Sequence, residues 1–275
     1  MKIIEVIKNN DLKQFERLLN LNKNNYEKYE DTILNTIIKN NKSDFLIFLF
    51  NNPSLFFINE ENLMRTCISE NNKDLLKISL DLCEDDYNQF NHANNVFICL
   101  EKGSFKCAKV FLEHPKFDKS SLSLELLRLS ALKNDSFSFY FILKHLNITK
   151  EYNLDNLFKF CIKNQNIDFI NAIYNKTPEL KPDYSFIYNS FKIINGKNLD
   201  KELLFMVENL DLSLQDNKLL KRYINSGQEE DINLILKNKQ VQQSLTEKWL
   251  HTNCKYNHVK EELRPIILKN KISTF

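Results

Sequence analysis

Large apolar residues recur along the chain at an interval of 31 residues: Leu18, Leu49, Leu80, Phe111, Ile142, Ile173, Leu204, Ile235 and Ile266 all fall on one ruler. In a chain that is 43% hydrophobic, a nine-member column without a polar exception marks an internal repeat. The next column holds Leu19, Phe50, Leu112, Leu143, Tyr174, Phe205, Leu236 and Ile267, and is broken only by Asp81. Three residues before the first column stand Phe15, Leu46, Ala108, Phe139, Ile170, Ile232 and Leu263, with Lys77 and Lys201 as exceptions. Spacings of three and four put these positions on one helix face.

Upstream, the same ruler meets Asn10, Asn41, Asn72, Gly103, Asn134, Gln165, Gly196, Gly227 and His258. A helix that stops and reverses needs a left-handed residue just past its end, which Gly supplies without penalty and Asn tolerates better than most residues. Ahead of this pivot lie further apolar pairs, among them Val6 and Ile7, Ile37 and Ile38, Cys99 and Leu100, and Cys161 and Ile162, with Ile68 and Ser69 in the third unit. Each repeat therefore predicts two amphipathic helices joined by a tight turn, as the stretch from Cys99 to Asp118 displays. Neither helix can bury its stripe alone, so the units must stack. The expected fold is all-α, a curved α-solenoid of about nine helix-turn-helix repeats without a sheet, filling residues 1–275 as a single domain.

Loops of about nine to twelve residues separate the units, opened by prolines such as Pro53 and Pro115, which end a helix and force an extended entry. Asp31, Asn62, Asp155 and Asn217 are placed to cap the helices that follow. The opening helix, residues 2–9, starts in mid-repeat and is expected to serve as a cap, with Glu5 and Lys8 on its exposed face. Pro265 inside the last apolar pattern is expected to kink or shorten that helix.

This pattern resembles the ankyrin repeat family, in which a helix, a turn and a helix are followed by a loop. The family's helix opening, Thr-Pro-Leu-His-x-Ala-Ala-x-x-Gly, is similar to Thr32-Ile33-Leu34-Asn35-Thr36-Ile37-Ile38-Lys39-Asn40-Asn41, with the Thr and the first Leu kept. The family's apolar residue and Leu-Leu pair resembles Ala108, Phe111 and Leu112. The repeat here is shorter than the family's, the Pro of the opening is absent from every unit, and the loop glycines are missing. The resemblance implies a divergent array with plain loops in place of hairpin fingers, acting as a protein-binding scaffold.

Composition narrows the function. The 38 basic and 36 acidic residues leave a net charge of +2, which gives no electrostatic case for nucleic acid or an anionic membrane. A nucleic-acid-binding solenoid is the alternative, resting only on Lys159, Lys163, Lys221 and Arg222. No apolar run is long enough for a signal peptide or a membrane span, so a cytoplasmic location is the expectation. The richness in Phe, Tyr, Ile, Asn and Lys suits an AT-rich genome, and within the scaffold reading a viral or pathogen factor that sequesters a host protein. The six cysteines include no CxxC pair, and Cys99, Cys161 and Cys254 share one inward column, where Cys serves as a small buried hydrophobe.

No catalytic constellation stands out, and an enzyme is not expected. His251, Cys254 and His258 have metal-compatible spacing but lack a fourth ligand, and Cys254 and His258 fall on structural columns; neither metal nor cofactor is expected. The three glycines are isolated, so there is no phosphate loop. The acids Glu84, Asp85 and Asp86, and Glu229, Glu230 and Asp231, suit helix starts.

In the geometry the resemblance implies, positions five and two before each pivot face the concave surface. They are polar at Glu5, Lys8, Thr36, Lys39 and Glu70, and again at Arg222, Asn225 and Asn253. In the middle of the chain they become Ile98, Leu129, Phe160 and Phe191, with Leu132 and Ile194 beside them and Arg128, Lys159 and Lys163 as a polar rim. Such a stripe either binds a partner protein or a second copy, or adds a further wall of core.

Overall fold

The computed structural model describes residues 2–21, 29–83, 85–149, 152–179, 182–187, 200–226, 229–254 and 256–272. Among these, regular structure is entirely helical, and no strand occurs. The chain forms two compact units, residues 1–147 and 148–275. The first holds α1 (Lys2–Lys8), α2 (Leu12–Leu21), α3 (Glu30–Lys39), α4 (Ser43–Asn51), α5 (Glu60–Ser69), α6 (Lys73–Leu82), α7 (Asp85–Lys102), α8 (Phe105–Glu113), α9 (Leu124–Leu132) and α10 (Ser136–His145). The second holds α11 (Asp155–Lys163), α12 (Ile167–Lys176), α13 (Asp200–Asn209), α14 (Leu214–Ser226), α15 (Glu229–Ile235), α16 (Lys239–Ser244), α17 (Glu247–Asn253) and α18 (Asn257–Ile272).

In the first unit the helices pair as the periodicity requires. α1 packs on α2, α3 on α4, α5 on α6, α7 on α8 and α9 on α10. The odd-numbered helices also pack successively from α1 to α9, and the even-numbered ones from α4 to α10, which produces two layers. Phe15, Phe45, Phe111 and Phe139, all fully buried, fill the seam between them.

Six turns share one geometry. Asn10, Asn41, Asn71, Gly103, Asn134 and Gln165 have φ between 49° and 73°, the left-handed region. At Gly103 the N–H donates to Leu100 O at 3.2 Å and the next N–H, of Ser104, to Cys99 O at 2.8 Å. The same pair of bonds closes the turn at Asn10, Asn41, Asn71, Asn134 and Gln165. Two helix-end carbonyls are thereby satisfied and the chain is reversed within two residues.

The third turn corrects the ruler. Its left-handed residue is Asn71, not Asn72; Asn72 is instead the N-cap of α6, its Oδ1 accepting from Leu75 N at 3.0 Å. Shifted by one, this unit's exceptions at Lys77 and Asp81 vanish: Leu76 is buried where Lys77 broke the pattern, Leu80 takes the place of Asp81, and Cys67 and Ile68 replace Ile68 and Ser69 in the core, while the nine-fold column passes to the buried Ser79, whose Oγ donates to Leu75 O at 2.7 Å. Spacing returns to the ruler at Gly103, so a one-residue deletion is offset by a one-residue insertion before the next turn. We expect Leu76→Ala to cost about 2–5 kcal/mol in urea unfolding and the neighbouring Lys77→Ala about 0.5 or less, because only the former empties core volume. Equal effects would restore the unshifted register.

The nine-fold column is buried at Leu18, Leu49, Leu80, Phe111, Ile142, Ile173 and Ile235, but Ile266 is half-buried and Leu204 is 44% exposed. In α13 the inward face is carried two residues further on, by the buried Met206 and Val207. The helix starts and the last helix differ in detail from expectation. Tyr29 and Asn59, not Asp31 and Asn62, precede α3 and α5, and Asn59 Oδ1 accepts from Asn62 N at 3.0 Å. Leu154, not Asp155, precedes α11. Asn217 is no cap: with Gln215 and Asp216 it forms a left-handed turn, and its buried Oδ1 accepts from Ser244 Oγ at 2.9 Å. α18 runs through Pro265 to Ile272 and is not shortened by it.

Residues after the turn tie one repeat to the last. Asn72 Nδ2 donates to Ile38 O at 2.9 Å, and Ser104 Oγ donates to Ile68 O at 2.8 Å, each reaching the end of the preceding odd-numbered helix. In the second unit Asn238 takes both roles. Its Oδ1 accepts from Val241 N at 3.1 Å, and its Nδ2 donates to Val207 O at 2.7 Å and Leu210 O at 2.8 Å.

Candidate functional site

The side chains five and two residues before each left-handed turn come from the same face of the odd-numbered helices. With the register corrected at Asn71 the positions read Glu5 and Lys8, Thr36 and Lys39, Thr66 and Ser69, Ile98 and Glu101, Leu129 and Leu132, then Phe160 and Lys163. None of the first six is buried, and Thr36 and Thr66 donate their hydroxyls to the carbonyls of Thr32 and Asn62 within their own helices. Polar contacts run across this surface. Lys39 meets Glu70 at 3.4 Å, Lys102 Nζ donates to Ser69 Oγ at 2.7 Å, and Lys133 Nζ donates to Glu101 O at 2.9 Å.

The structure distributes the apolar stripe over both units. In the first, α7 and α9 pack side by side and carry Ile98, half-buried, Leu129, only 8% exposed, and Leu132, 36% exposed. Arg128 is half-buried and meets Glu125 at 3.5 Å. In the second unit, α11 carries Lys159 and Phe160, both half-buried, and Lys163, exposed. Phe191 and Ile194 lie outside the described residues. Leu129 therefore works with the core, whereas Leu132 and Phe160 present apolar surface to solvent.

Sequence reasoning missed two recesses. In the first unit a groove of about 580 Å³ is lined by Leu49, Phe50, Pro53, Phe56, Phe57 and Leu82, with Glu60 and Glu61 at one end. The loop turns at 53–55, where Leu55 N donates to Asn52 O at 2.9 Å, and then buries Phe56 and leaves Phe57 70% exposed. In the second unit a cleft of about 330 Å³ opens beside Tyr174 and Asp211. The signal for the first was two aromatics inside a loop; the second draws on three separated segments and had none.

Among the described residues no three His, Cys, Asp or Glu side chains come together to hold a metal. His251 faces Glu247 at 4.0 Å, Cys254 is buried, and the side chain of His258 lies outside the described residues. Those of Glu84, Asp85, Asp86, Glu229 and Glu230 lie outside them as well. Lys221 and Arg222 are exposed on α14. No described helix is long and apolar enough to cross a membrane.

All six cysteines are free and buried. Burial pushes the thiols of Cys67 and Cys161 up to about 12 and that of Cys107 up to about 11, and raises Cys83, Cys99 and Cys254 as well. Thiols held protonated neither attack nor bind metal. We expect a colorimetric thiol reagent to modify the native protein at least about tenfold more slowly than the urea-unfolded chain. Because unfolded thiols ionise near the usual value and folded ones do not, stability should fall as pH rises from about 8.5 toward 11. Rapid native labelling of several cysteines would contradict this packing.

No known family matches the chain, and no curated protein or solved structure is significantly similar to it.

Proposed function

We propose that the chain is a non-enzymatic, divergent ankyrin-like scaffold that binds a partner protein on the outward face of its odd-numbered helices. The observation that carries this reading is the contrast between two sets of positions. Six identical turns and the columns around them repeat faithfully, while the outward positions of the same helices change from Glu5, Lys8 and Thr36 to Ile98, Leu132 and Phe160. A surface held rigidly by a repeating core and varied unit by unit is the usual arrangement of repeat proteins that recognise other proteins. Exposed Leu132 in the first unit, beside Arg128, and half-exposed Phe160 in the second, beside Lys159 and Lys163, are each anchors of the kind that dominate such interfaces. Sequestration of a host protein by a viral or pathogen factor is the biological setting this composition suits.

The test is the Phe160→Asp and Phe191→Asp double variant in affinity capture from cell lysate. Captured partners should be lost while the melting temperature stays within about 2 °C. A large fall in melting temperature would make the stripe core, and a folded variant that still captures the same partner would move binding to the loops.

A further inference from the structure

The cleft in the second unit has the chemistry of a receptor for one organic cation. Its walls are Ile170, Asn171 and Tyr174 of α12, Pro178 just beyond, Asn209 and Leu210 at the end of α13, then Asp211, Leu214 and Gln240. Three features point the same way. The carboxylate of Asp211 is committed on one side only: Oδ1 accepts from Ser213 N at 3.0 Å and Ser213 Oγ at 2.5 Å, and Oδ2 has no hydrogen bond or ion pair among the described residues. Among the described residues no Lys, Arg or His lines the cleft. The Asn209 amide nitrogen commits one of its two hydrogens to Phe205 O at 2.9 Å, which leaves Oδ1 of that side chain as an acceptor beside Asp211.

The floor is electron-rich as well. The hydroxyls of Tyr174 and Tyr184 bond to each other, Tyr184 is buried, and the ring of Tyr174 is held against Phe158 at 5.2 Å. Burial pushes both phenols up, the bond between them lowers Tyr174 and raises Tyr184, and the charge of Asp211 adds a smaller upward push to each. Tyr174 thus stays a neutral phenol with its polar end near the carboxylate. Half-buried Leu214 and exposed Pro178, backed by the buried Ile170 and Leu210, give an apolar wall leading to that polar end. An alkyl stem carrying a terminal positive group matches this sequence of surfaces, since long basic side chains lay their methylenes on apolar walls and keep the charge on polar atoms.

The geometry points to this cleft as a pocket for a lysine or arginine side chain of a bound peptide, with its cationic head on Asp211 Oδ2 and Asn209 Oδ1 and its stem against Leu214 and Pro178. The peptide as carrier rests on the scaffold reading above; the cleft's preference for a cation does not. Asp211 then selects partners with a basic residue in the docking segment, and neutral isosteres fail because the carboxylate is left facing an apolar group.

The test is a nitrogen-15 NMR titration of the full chain with Nα-acetyl-lysine N-methylamide, its norleucine analogue and n-pentylamine. The capped lysine should shift resonances around Asp211 and Tyr174 with a millimolar Kd, at least about fivefold tighter than the norleucine compound, and should weaken as salt rises. Asp211→Asn keeps the Oδ1 acceptor for Ser213 and removes the charge, so it should fold normally and lose that advantage. Equal affinity for lysine and norleucine compounds, or an Asp211→Asn protein that binds as the wild type does, overturns the proposal. Pentylamine binding tighter than the capped lysine overturns the peptide as source and assigns the site to a free amine. No partner protein is used, so these outcomes are independent of the Phe160 and Phe191 capture experiment.

Discussion

Ile142→Ala and Ile173→Ala are expected to destabilise the protein by about 2–5 kcal/mol each in urea unfolding, among the largest effects of any single truncation in the chain. Both side chains are fully buried, Ile142 in α10 of the first unit and Ile173 in α12 of the second. Each sits at the same repeat position, facing the partner helix of its own pair, where closing the void would require a helix to move. In a linear array the loss falls on the repeat that carries it and on its neighbours. Hydrogen exchange should therefore rise most around α8–α10 in the first variant and around α11 and α12 in the second. Uniform loss of protection over all helices in both variants, or a cost below about 1 kcal/mol, would contradict this account of the core.

Asn238→Ala should cost about 2–4 kcal/mol, more than Asn72→Ala, although both residues cap a helix and cross to the preceding repeat. Asn238 is 1% exposed, and its truncation strands three groups at once: Val241 N–H loses its acceptor, and Val207 O and Leu210 O lose their donor where water does not reach. Asn72 is only part-buried, so solvent recovers some of what its removal takes away. Asn238→Asp separates the two roles. It keeps the oxygen that accepts from Val241 but turns a second oxygen toward two carbonyls, so it should be at least as damaging as alanine at neutral pH. Thermal unfolding of the three variants checks the order, and an Asn238→Ala protein as stable as Asn72→Ala would mean that these bonds contribute no more than an ordinary cap.

The sequence by itself determined the 31-residue interval, the helical class and five of the turns, though not a turn at His258, which lies inside α18. The physical reason is that a local rule governs all three. A helix face is written at spacings of three and four, and a reversing turn needs a residue that tolerates positive φ, so Asn10, Asn41, Gly103, Asn134 and Gln165 were visible before any contact was known. Only the tertiary structure decided the shift to Asn71. One residue lost there and one regained before Gly103 leave the ruler intact at both ends, and the choice between Leu76 and Lys77 as the inward residue is made by packing against α4 and α8.

The same division holds for the candidate surfaces. Ile98, Leu129 and Phe160 were legible as a column because they keep the interval, but burial was not: Leu129 is covered and Leu132 is not, although they lie on the same turn-ward end of α9. The Asp211 cleft had no sequence signature at all. Tyr174, the Asn209–Asp211 stretch and Gln240 come from separate segments, and what joins them is the packing of the second unit rather than any spacing along the chain.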